Sequence, residues 1–308
     1  MKIQFLGTGA GVPAKQRNVS SLALKLLDEL NEIWLFDCGE GTQHQILKTT
    51  LKPRKISKIF ITHLHGDHIY GLPGFLSSRS FQGGEGPLEI YGPVGIKQFL
   101  QSTLSISKSN LLYPLSIFEL KAEGGEINFS NHWTVTYMPL EHGILSYGYR
   151  IQEPDAPGEL LVDKLKEYRI PNGPIYGQLK RGECVRLEDG RILEGKDFIA
   201  EPRPGRIVTI LGDTRYTKTS ISLAQRANLL VHESTHEASE AKMARAYFHS
   251  TSVQAATVAK EAQVEQLLMN HISARYIGKA VYQLQEEARQ VFPASYVVDD
   301  FDEFDIHY

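Results

Sequence analysis

The sequence predicts an α/β fold with one inserted arm. Three observations point to it: short apolar runs rich in β-branched residues, helical spacing of apolar residues between those runs, and one long stretch rich in proline and glycine. Hydrophobic residues make up 42% of the 308 residues, which is enough for a sizeable core. We expect a single domain over residues 1–308, because one large α/β domain can account for this length.

Predicted strands and helices alternate along most of the chain. Ten segments have the composition of strands, and in chain order they are KIQFLG, SLALKLL, IWLFD, KIFIT, LEIYG, TVTYMPL, YGYRI, RIVTIL, NLLVHE and QLLMN. Six further segments show helical spacing: TQHQILKTT, GIKQFLQSTL, ISLAQRA, EASEAKMARAYF, TSVQAATVAKEAQ and KAVYQLQEEARQVF. The sequence contains no internal repeat and no low-complexity tract.

The alternation loosens from about 153 to 204. Proline and glycine concentrate there in EPDAPGE, IPNGPIYG, EDGR and EPRPGR, around one short helical run, ELLVDKLKEY. Long segments with little regular structure are usually functional or flexible. We interpret 153–204 as a flexible arm inserted between two strands of one domain, and an irregular surface connection is the alternative.

Composition excludes several classes of protein. No apolar run approaches the length of a membrane span, and the N-terminal MKIQFLGTG lacks the long apolar region of a secretory signal. Cys38 and Cys184 are too few and too far apart for a disulfide framework or a thiolate zinc site. We therefore expect a cytoplasmic protein that has no membrane partner.

The charge distribution permits a nucleic-acid partner. The net charge is −3, but the tail DDFDEFDIHY contains five acidic residues, so residues 1–298 together carry +2. Between 164 and 186, six Lys and Arg residues stand against only two Glu residues. A basic segment of this kind is compatible with binding to phosphate groups.

A cluster of polar residues directly follows the predicted strand KIFIT. His63, His65, Asp67 and His68 lie within six positions. In an extended segment His63 and His65 point the same way, so both can approach one ion. Gly66 allows the chain to turn and to bring Asp67 and His68 toward a second ion. The pattern indicates a metal site, and chance clustering on a solvated loop is the alternative.

Four residues cannot saturate two ions, because one zinc ion takes about four ligands. Three residues at the ends of later strands are the expected partners: His142 after TVTYMPLE, Asp213 after RIVTILG, and His271 after QLLMN. A carboxylate such as that of Asp213 can bridge two ions. Imidazole and carboxylate ligands suit zinc, and Mn²⁺ or Fe²⁺ would also fit.

Seven segments follow one another in a recognisable order: FLGTGAGVPAKQRN, FDCGEGTQHQIL, FITHLHGDHIYGLPG, LGDTR, HEST, FHST and NHISARY. Together they resemble the ribonuclease Z family of the metallo-β-lactamase superfamily, and the resemblance runs nearly from end to end. The segment PNGPIYGQLKRG is similar to the arm of the bacterial long-arm type.

The resemblance implies a four-layer αββα metallo-β-lactamase fold and two Zn²⁺ ions per subunit. One ion would be held by His63, His65, His142 and Asp213, and the other by Asp67, His68, Asp213 and His271. The implied activity is two-metal hydrolysis that removes the 3′ trailer of precursor tRNA, leaving a 3′-hydroxyl on the tRNA and a 5′-phosphate on the trailer. A homodimer and an RNA substrate, not DNA, are also implied.

Four further roles are expected around the metals. The family places the general base at Asp67, although a ligated carboxylate has limited basicity. His249 in FHST is the candidate general acid, because imidazole titrates in the working pH range. Glu233 of HEST would orient His249. Asp37 is expected to order the histidine loop without binding metal.

Substrate contacts are expected from residues outside the metal site. Lys15 and Arg17 in PAKQRN match the element that senses the tRNA 3′ end, and both can contact phosphates. Arg275 in SARY is expected near the cleaved phosphate. The arm would grip the tRNA elbow through residues that include Gly173, Pro174, Lys180 and Arg181.

Other functions remain as alternatives. A metallo-β-lactamase-fold hydrolase of a small phosphodiester or thioester would need the same metals but no basic arm. A non-catalytic RNA- or protein-binding relative would not need all seven ligands. A dinucleotide-binding loop at Gly7, Gly9 and Gly11 is disfavoured, because Val12 stands at the third glycine position of G-x-G-x-x-G and no helix is predicted there.

Overall fold

A computed structural model describes residues 1–308, and these residues form two compact units. The first unit comprises Met1–Gln152 and Arg206–His307, and the second comprises Glu153–Gly205 with the terminal Tyr308. All seven expected metal ligands belong to the first unit. None of the helices combines the length and the apolar character that crossing a membrane requires.

One seven-stranded sheet is built from the N-terminal part of the chain and the last strand. Its strands are β1 (Lys2–Gly7), β2 (Ser21–Leu26), β3 (Glu32–Phe36), β4 (Ile56–Phe60), β5 (Leu88–Gly92), β6 (Leu115–Glu119) and β16 (Glu303–Asp305). The spatial order is β16-β1-β2-β3-β4-β5-β6. Pairing is antiparallel from β16 to β3 and parallel from β3 to β6.

A second seven-stranded sheet follows. Its strands are β7 (Gly125–Asn128), β8 (Thr134–Leu140), β9 (Ser146–Gln152), β12 (Ile207–Leu211), β13 (Leu229–Glu233), β14 (Gln266–Asn270) and β15 (Ser295–Val297). The spatial order is β15-β14-β13-β12-β9-β8-β7. The strands from β12 to β15 are parallel, and the remaining pairs are antiparallel.

The two sheets pack face to face around an aromatic core. The rings of Phe36 and Phe60 in the first sheet lie 5.9 and 5.4 Å from that of Tyr149 in the second. Side chains alternate along a strand, so the neighbouring Leu35 and Ile59 belong to a different cluster on the opposite face. The buried strands therefore read as continuous apolar runs because both of their faces are covered.

Helices cover the outer face of each sheet. The first sheet is covered by α1 (Thr42–Leu47), α2 (Gly66–Ile69), α3 (Leu72–Phe81) and α4 (Ile96–Ile106), and the second by α7 (Lys218–Ala224), α9 (Ser252–Glu261) and α10 (Lys279–Val291). A short helix, α8 (Ala241–Ala246), precedes α9. The resulting order of layers is α, β, β, α, which confirms the fold class expected from the sequence.

The second unit, Glu153–Gly205, has a small hydrophobic cluster of its own. It contains α5 (Val162–Glu167), α6 (Pro174–Lys180) and an antiparallel hairpin of β10 (Cys184–Arg186) and β11 (Ile192–Glu194). Leu165 and Leu179 of the helices cluster with Phe198 and with one residue of each hairpin strand. That this segment is a flexible arm for tRNA remains a prediction.

Each of the ten predicted strands and six predicted helices overlaps an element of the structure. The sequence does not predict helix α3 or the edge strands β6, β7, β15 and β16. Helix α3, LPGFLSSRSF, contains proline, glycine and three serines, which are poor helix formers. Most side chains of β6 and β7 are not buried, so backbone pairing and not apolar burial defines these strands.

Candidate metal centre and active site

The expected metal ligands lie where strands of both sheets end. The segment 63–68 follows β4 of the first sheet, whereas His142, Asp213 and His271 follow β8, β12 and β14 of the second. Strands β12 to β14 are parallel, so their carboxyl ends meet at one edge. The structure brings all seven residues together there, in overlapping groups whose ligand atoms lie within 4.8 Å of one another.

Three imidazoles form the first group. His63 Nε2 lies 3.1 Å from His65 Nδ1, and His142 Nε2 lies 3.2 Å from the same atom. Burial lowers the pKa of His63 well below its ordinary value and also lowers the pKa of His65. His142 Nδ1 donates a hydrogen bond to the Phe248 carbonyl at 3.0 Å, which leaves its Nε2 as the ligand atom. Three converging imidazoles are suited to a metal ion, which binds the neutral form of the ring.

Asp213 lies between this group and the next. Its Oδ2 is 3.2 Å from His271 Nε2, 3.6 Å from His68 Nε2 and 3.7 Å from His63 Nε2. Burial opposes ionisation of Asp213, but the surrounding imidazoles outweigh it and hold the pKa of this carboxyl well below its ordinary value. An ionised carboxylate is therefore within reach of both groups.

Asp67, His68 and His271 form the second group. Asp67 Oδ2 lies 3.4 Å from His271 Nε2 and 3.5 Å from His68 Nε2. Burial opposes ionisation of Asp67, but the hydrogen bond with His271 and the nearby imidazole of His68 hold the pKa of Asp67 below the ordinary range. The Gly11 amide donates to the same Oδ2 at 2.9 Å, so the loop after β1 also fixes this carboxylate.

One buried nitrogen shows that the centre suits a cation. His68 Nδ1 donates to Asp37 Oδ2 at 2.7 Å, so His68 Nε2 is left to face Asp67 and Asp213. That Nε2 is buried and has no hydrogen-bond partner. Burial lowers the pKa of His68, yet Asp213 and Asp37 raise it well above its ordinary value, so the local field favours positive charge. This set of imidazoles and carboxylates fits a divalent ion such as zinc.

His249 lies beside the two groups and is paired with Glu233. His249 Nδ1 donates to Glu233 Oε1 at 2.8 Å and lies 4.0 Å from Asp213 Oδ2. Burial lowers the pKa of His249, but Glu233 and Asp213 raise it more, to about 9. Burial also opposes ionisation of Glu233, and His249 holds the pKa of that carboxyl below its ordinary value. Imidazole and carboxylate thus stabilise each other in their charged forms.

Two threonines that the sequence did not point to support these side chains. Thr235 Oγ1 donates to Glu233 Oε2 at 2.6 Å and accepts from His271 Nδ1 at 3.0 Å. Thr62 lies next to His63, and its amide donates to Asp37 Oδ1 at 2.8 Å. Position within the motifs HEST and FITH is the only signal that could have identified them.

The two expected substrate residues of the PAKQRN loop differ in exposure. Lys15 is exposed, whereas Arg17 is only 6% exposed. The guanidinium of Arg17 donates to Thr8 Oγ1 at 2.7 Å and forms an ion pair with Asp299. Arg17 is therefore engaged inside the protein, and its predicted contact with phosphate remains a prediction.

Arg275 lines a cavity of about 490 Å³ together with Asp67, His249 and His271. Its Nη1 lies 2.6 Å from Glu240 Oε1, so its charge is balanced within the protein. The arm residues lie in the second unit, where Gly173, Pro174, Lys180 and Arg181 are all exposed. Arg181 is paired with Glu183 at 2.6 Å, and Pro174 begins α6.

Comparison with known proteins identifies the family. A family model described as "Anti-Pycsar protein Apyc1" matches residues 1–138. The chain is 63% identical over 306 residues to "Ribonuclease Z" of Enterococcus faecalis, covering 99% of this chain and 97% of that protein. Human tRNase Z, short form, superimposes with a TM-score of 0.72 at 30% identity over 100% of both chains.

The fold has a further match in the metallo-β-lactamase fold protein YhfI from Bacillus subtilis. Its TM-score is 0.67 at 19% identity, over 98% of both chains, so it supports the fold alone. The E. faecalis match is far above the identity at which membership of a family is secure, and it extends along the whole chain. The chain therefore belongs to the ribonuclease Z family and has the metallo-β-lactamase fold.

Proposed function

We propose that the chain is a metal-dependent endoribonuclease that removes the 3′ trailer from precursor tRNA. The products would be a tRNA with a 3′-hydroxyl and a trailer with a 5′-phosphate. One observation supports this proposal above all. Seven His and Asp side chains meet where strands of the two sheets end, with ligand atoms a few ångströms apart, in a chain that is 63% identical to a ribonuclease Z over 306 residues.

Two Zn²⁺ ions per subunit fit the donor set, and Mn²⁺ or Fe²⁺ would also fit. One ion would be held by His63, His65, His142 and Asp213, and the other by Asp67, His68, Asp213 and His271. When bound, such ions supply Lewis-acid polarisation and charge stabilisation at a phosphodiester. Asp37 would act through His68, because it holds that ring in the tautomer that directs Nε2 into the site.

Asp67 would orient the attacking water and accept its proton at a carboxylate oxygen. The Gly11 amide and two imidazoles hold that carboxylate in place. The same contacts keep its pKa low, which limits its strength as a base. Orientation of the water is therefore the larger part of the role proposed for Asp67.

His249 would donate a proton from Nε2 to the departing 3′ oxygen. Its Nδ1 is occupied by Glu233, which keeps the imidazole charged and fixes its orientation. Glu233 would thus act only through His249 and not on the substrate. The proposed roles of Glu233 and His249 resemble the general arrangement in which one carboxylate orients a catalytic imidazole.

Lys15, Arg275 and the arm would hold the RNA. Lys15 is exposed on the loop whose Gly11 contacts Asp67. Arg275 lines the same cavity as the metal ligands, where release from Glu240 would allow it to reach a phosphate. In the arm, Gly173 and Pro174 begin α6, and Lys180 ends it beside Arg181.

The proposal includes a homodimer. Leu47, Phe81 and Ile106, on the neighbouring helices α1, α3 and α4, are 67%, 86% and 84% exposed. Exposed apolar side chains on neighbouring helices support an association surface. Light scattering should give the mass of a dimer for the wild type and of a monomer for Phe81→Glu combined with Ile106→Glu. An unchanged mass in the double variant would remove this part of the proposal.

The activity is tested with a 5′-labelled precursor tRNA, the purified protein and zinc. We expect one cut directly after the discriminator nucleotide, with a 3′-hydroxyl on the labelled product. Chelation of the metal should abolish the cut, and added zinc should restore it. Failure to cut the precursor, together with efficient turnover of a small phosphodiester or thioester, would contradict the proposal.

A further inference from the structure

A second cavity adjoins the metal centre across helix α8. It encloses about 440 Å³, and we call it the α8 cavity, with Arg215, Lys242, Arg245, Glu141 and His249 among its lining residues. A neighbouring cavity, which we call the metal cavity, is lined by four of the expected ligands and by Met243 and Tyr247 of the same segment; the four ligands are His65, Asp67, Asp213 and His271. The helix therefore separates the two cavities, and His249 is the only residue that lines both.

The α8 cavity carries uncompensated positive charge. Arg215, Lys242 and Arg245 line it, and none of them forms an ion pair, whereas Arg275 in the metal cavity is paired with Glu240 at 2.6 Å. The only carboxylate on its wall is that of Glu141. An open cavity with an excess of unpaired cations is suited to a polyanion.

Arg215 is held in position by two contacts, and the other two cations lie at the surface. The Nε of Arg215 donates to the Arg245 carbonyl at 2.9 Å, and its guanidinium lies 3.8 Å from the centre of the Phe248 ring. Lys242 and Arg245 are exposed. A fixed guanidinium beside two adaptable cations can follow a phosphate backbone without reading its bases.

The position of His249 indicates which part of an RNA strand would occupy this cavity. Under the proposed function, His249 donates a proton to the departing 3′ oxygen, which belongs to the last nucleotide of the tRNA. The tRNA strand on the 5′ side of the cut ends at this oxygen and therefore lies next to His249. His249 is also part of the wall of the α8 cavity. Gly11, in the loop that carries Lys15, lines only the metal cavity.

We propose that the α8 cavity binds the phosphodiester backbone on the 5′ side of the cut, at the last nucleotides of the acceptor strand. The inference rests on the proposed function and deepens it by assigning a direction to the bound strand. Arg215, Lys242 and Arg245 would contact the phosphates that precede the scissile one. The trailer would leave through the metal cavity, past the loop of Gly11 and Lys15.

A double-mutant cycle between protein and RNA tests this assignment. The protein variant is Lys242→Gln with Arg245→Gln, and the RNA variants carry one uncharged methylphosphonate, either one linkage 5′ or one linkage 3′ of the scissile phosphate. We expect kcat/KM to fall about tenfold for the protein variant and about tenfold for the 5′ methylphosphonate. Combining the two should cause little further loss, because both changes remove the same contact.

The 3′ methylphosphonate should instead add its effect to that of the protein variant. Lys260→Gln, a change at an exposed lysine of α9 outside both cavities, should keep wild-type kcat/KM and the full 5′ methylphosphonate effect. Zinc content and unfolding temperature report whether the variants fold. Additive losses at the 5′ linkage, or coupling to the 3′ linkage, would overturn the inference. A wild-type protein that does not cut the unmodified precursor would instead overturn the proposed function itself.

Discussion

Single residues around the metal centre adopt backbone conformations that other residues rarely take. Asp37 and His271 both have a φ of 56°, in the left-handed region that non-glycine residues seldom occupy. Both positions are held by side-chain contacts: Asp37 by Thr62 and His68, and His271 by Thr235. Such strain persists only where the surroundings fix it, and it is typical of functional sites.

Replacing His249 tests catalysis separately from metal binding. We expect His249→Ala to lower kcat on precursor tRNA by at least about 100-fold, because the departing oxygen loses its proton donor. The zinc content should not change, since His249 is outside the proposed ligand sets. The exposed His44 of α1 provides a matched control, and His44→Ala should keep full activity. Full activity in His249→Ala would contradict the assigned role.

The metal ligands could be predicted because their residue types and positions carry the signal. The motif at 63–68 and the strand-end positions of His142, Asp213 and His271 are visible in the sequence, and the structure brings them together. The hydrogen bonds of Thr235 and the Gly11 amide could not be predicted. They depend on contacts between residues far apart in the chain, and the residue types involved do not indicate them.

At the element scale, the acidic C-terminal segment has a structural task that its composition does not reveal. Asp300 accepts hydrogen bonds from the Thr8 amide at 3.0 Å, the Asn18 amide at 2.7 Å and Gln45 Nε2 at 2.9 Å. Asp299 pairs with Arg17. The segment therefore fixes both ends of the loop between β1 and β2, whose Gly11 amide donates a hydrogen bond to Asp67.

We expect Asp300→Ala to destabilise the protein by about 2–4 kcal/mol, because it leaves partly buried donors without an acceptor. It should also lower kcat while the zinc content stays unchanged, since the loop would no longer position Asp67. Urea unfolding and steady-state kinetics measure the two effects. Asp305→Ala is the control, because its exposed carboxylate pairs only with Lys2, and the expected change is below about 0.5 kcal/mol. Equal effects of the two substitutions would contradict this account.

The extent to which elements could be predicted depends on their burial. Strands β1, β4 and β12 bury most of their side chains, so they can be predicted from their apolar runs. The sequence does not predict edge strand β16, because this strand lies in the acidic tail, where Lys2 and Lys25 balance its carboxylates. Its pairing with β1 joins residues about 300 positions apart, a distance over which sequence patterns carry no information.

At the scale of the whole molecule, the chain divides into a catalytic unit and a small second unit. Within the second unit, two backbone bridges, Ala156 with Arg203 and Leu160 with Ile199, pair the outgoing chain with the returning chain. It has its own hydrophobic cluster and a run of mostly exposed Lys and Arg residues between 164 and 186, but none of the expected metal ligands. This division predicts that tRNA binding and the hydrolysis step can be altered independently of each other.

We expect removal of 161–198, with Leu160 joined to Ile199 through a two-glycine turn, to raise KM for precursor tRNA by about tenfold or more. Loss of this segment, which contains the Lys and Arg run of 164–186, weakens binding without altering the chemical step. Hydrolysis of bis(p-nitrophenyl) phosphate should be retained, because a small substrate does not need the arm. Lys180→Gln with Arg181→Gln should reproduce part of the effect. An equal loss on both substrates would contradict the role of the arm.

We propose that seven residues form two adjoining metal sites, of which His271 serves only one. The most direct test is the metal content of the zinc-loaded protein and of His271→Ala, measured by mass spectrometry of the dissolved metal. We predict about two zinc ions per chain for the wild type and about one for the variant. One ion or fewer in the wild type, or two ions retained in His271→Ala, would contradict the claim.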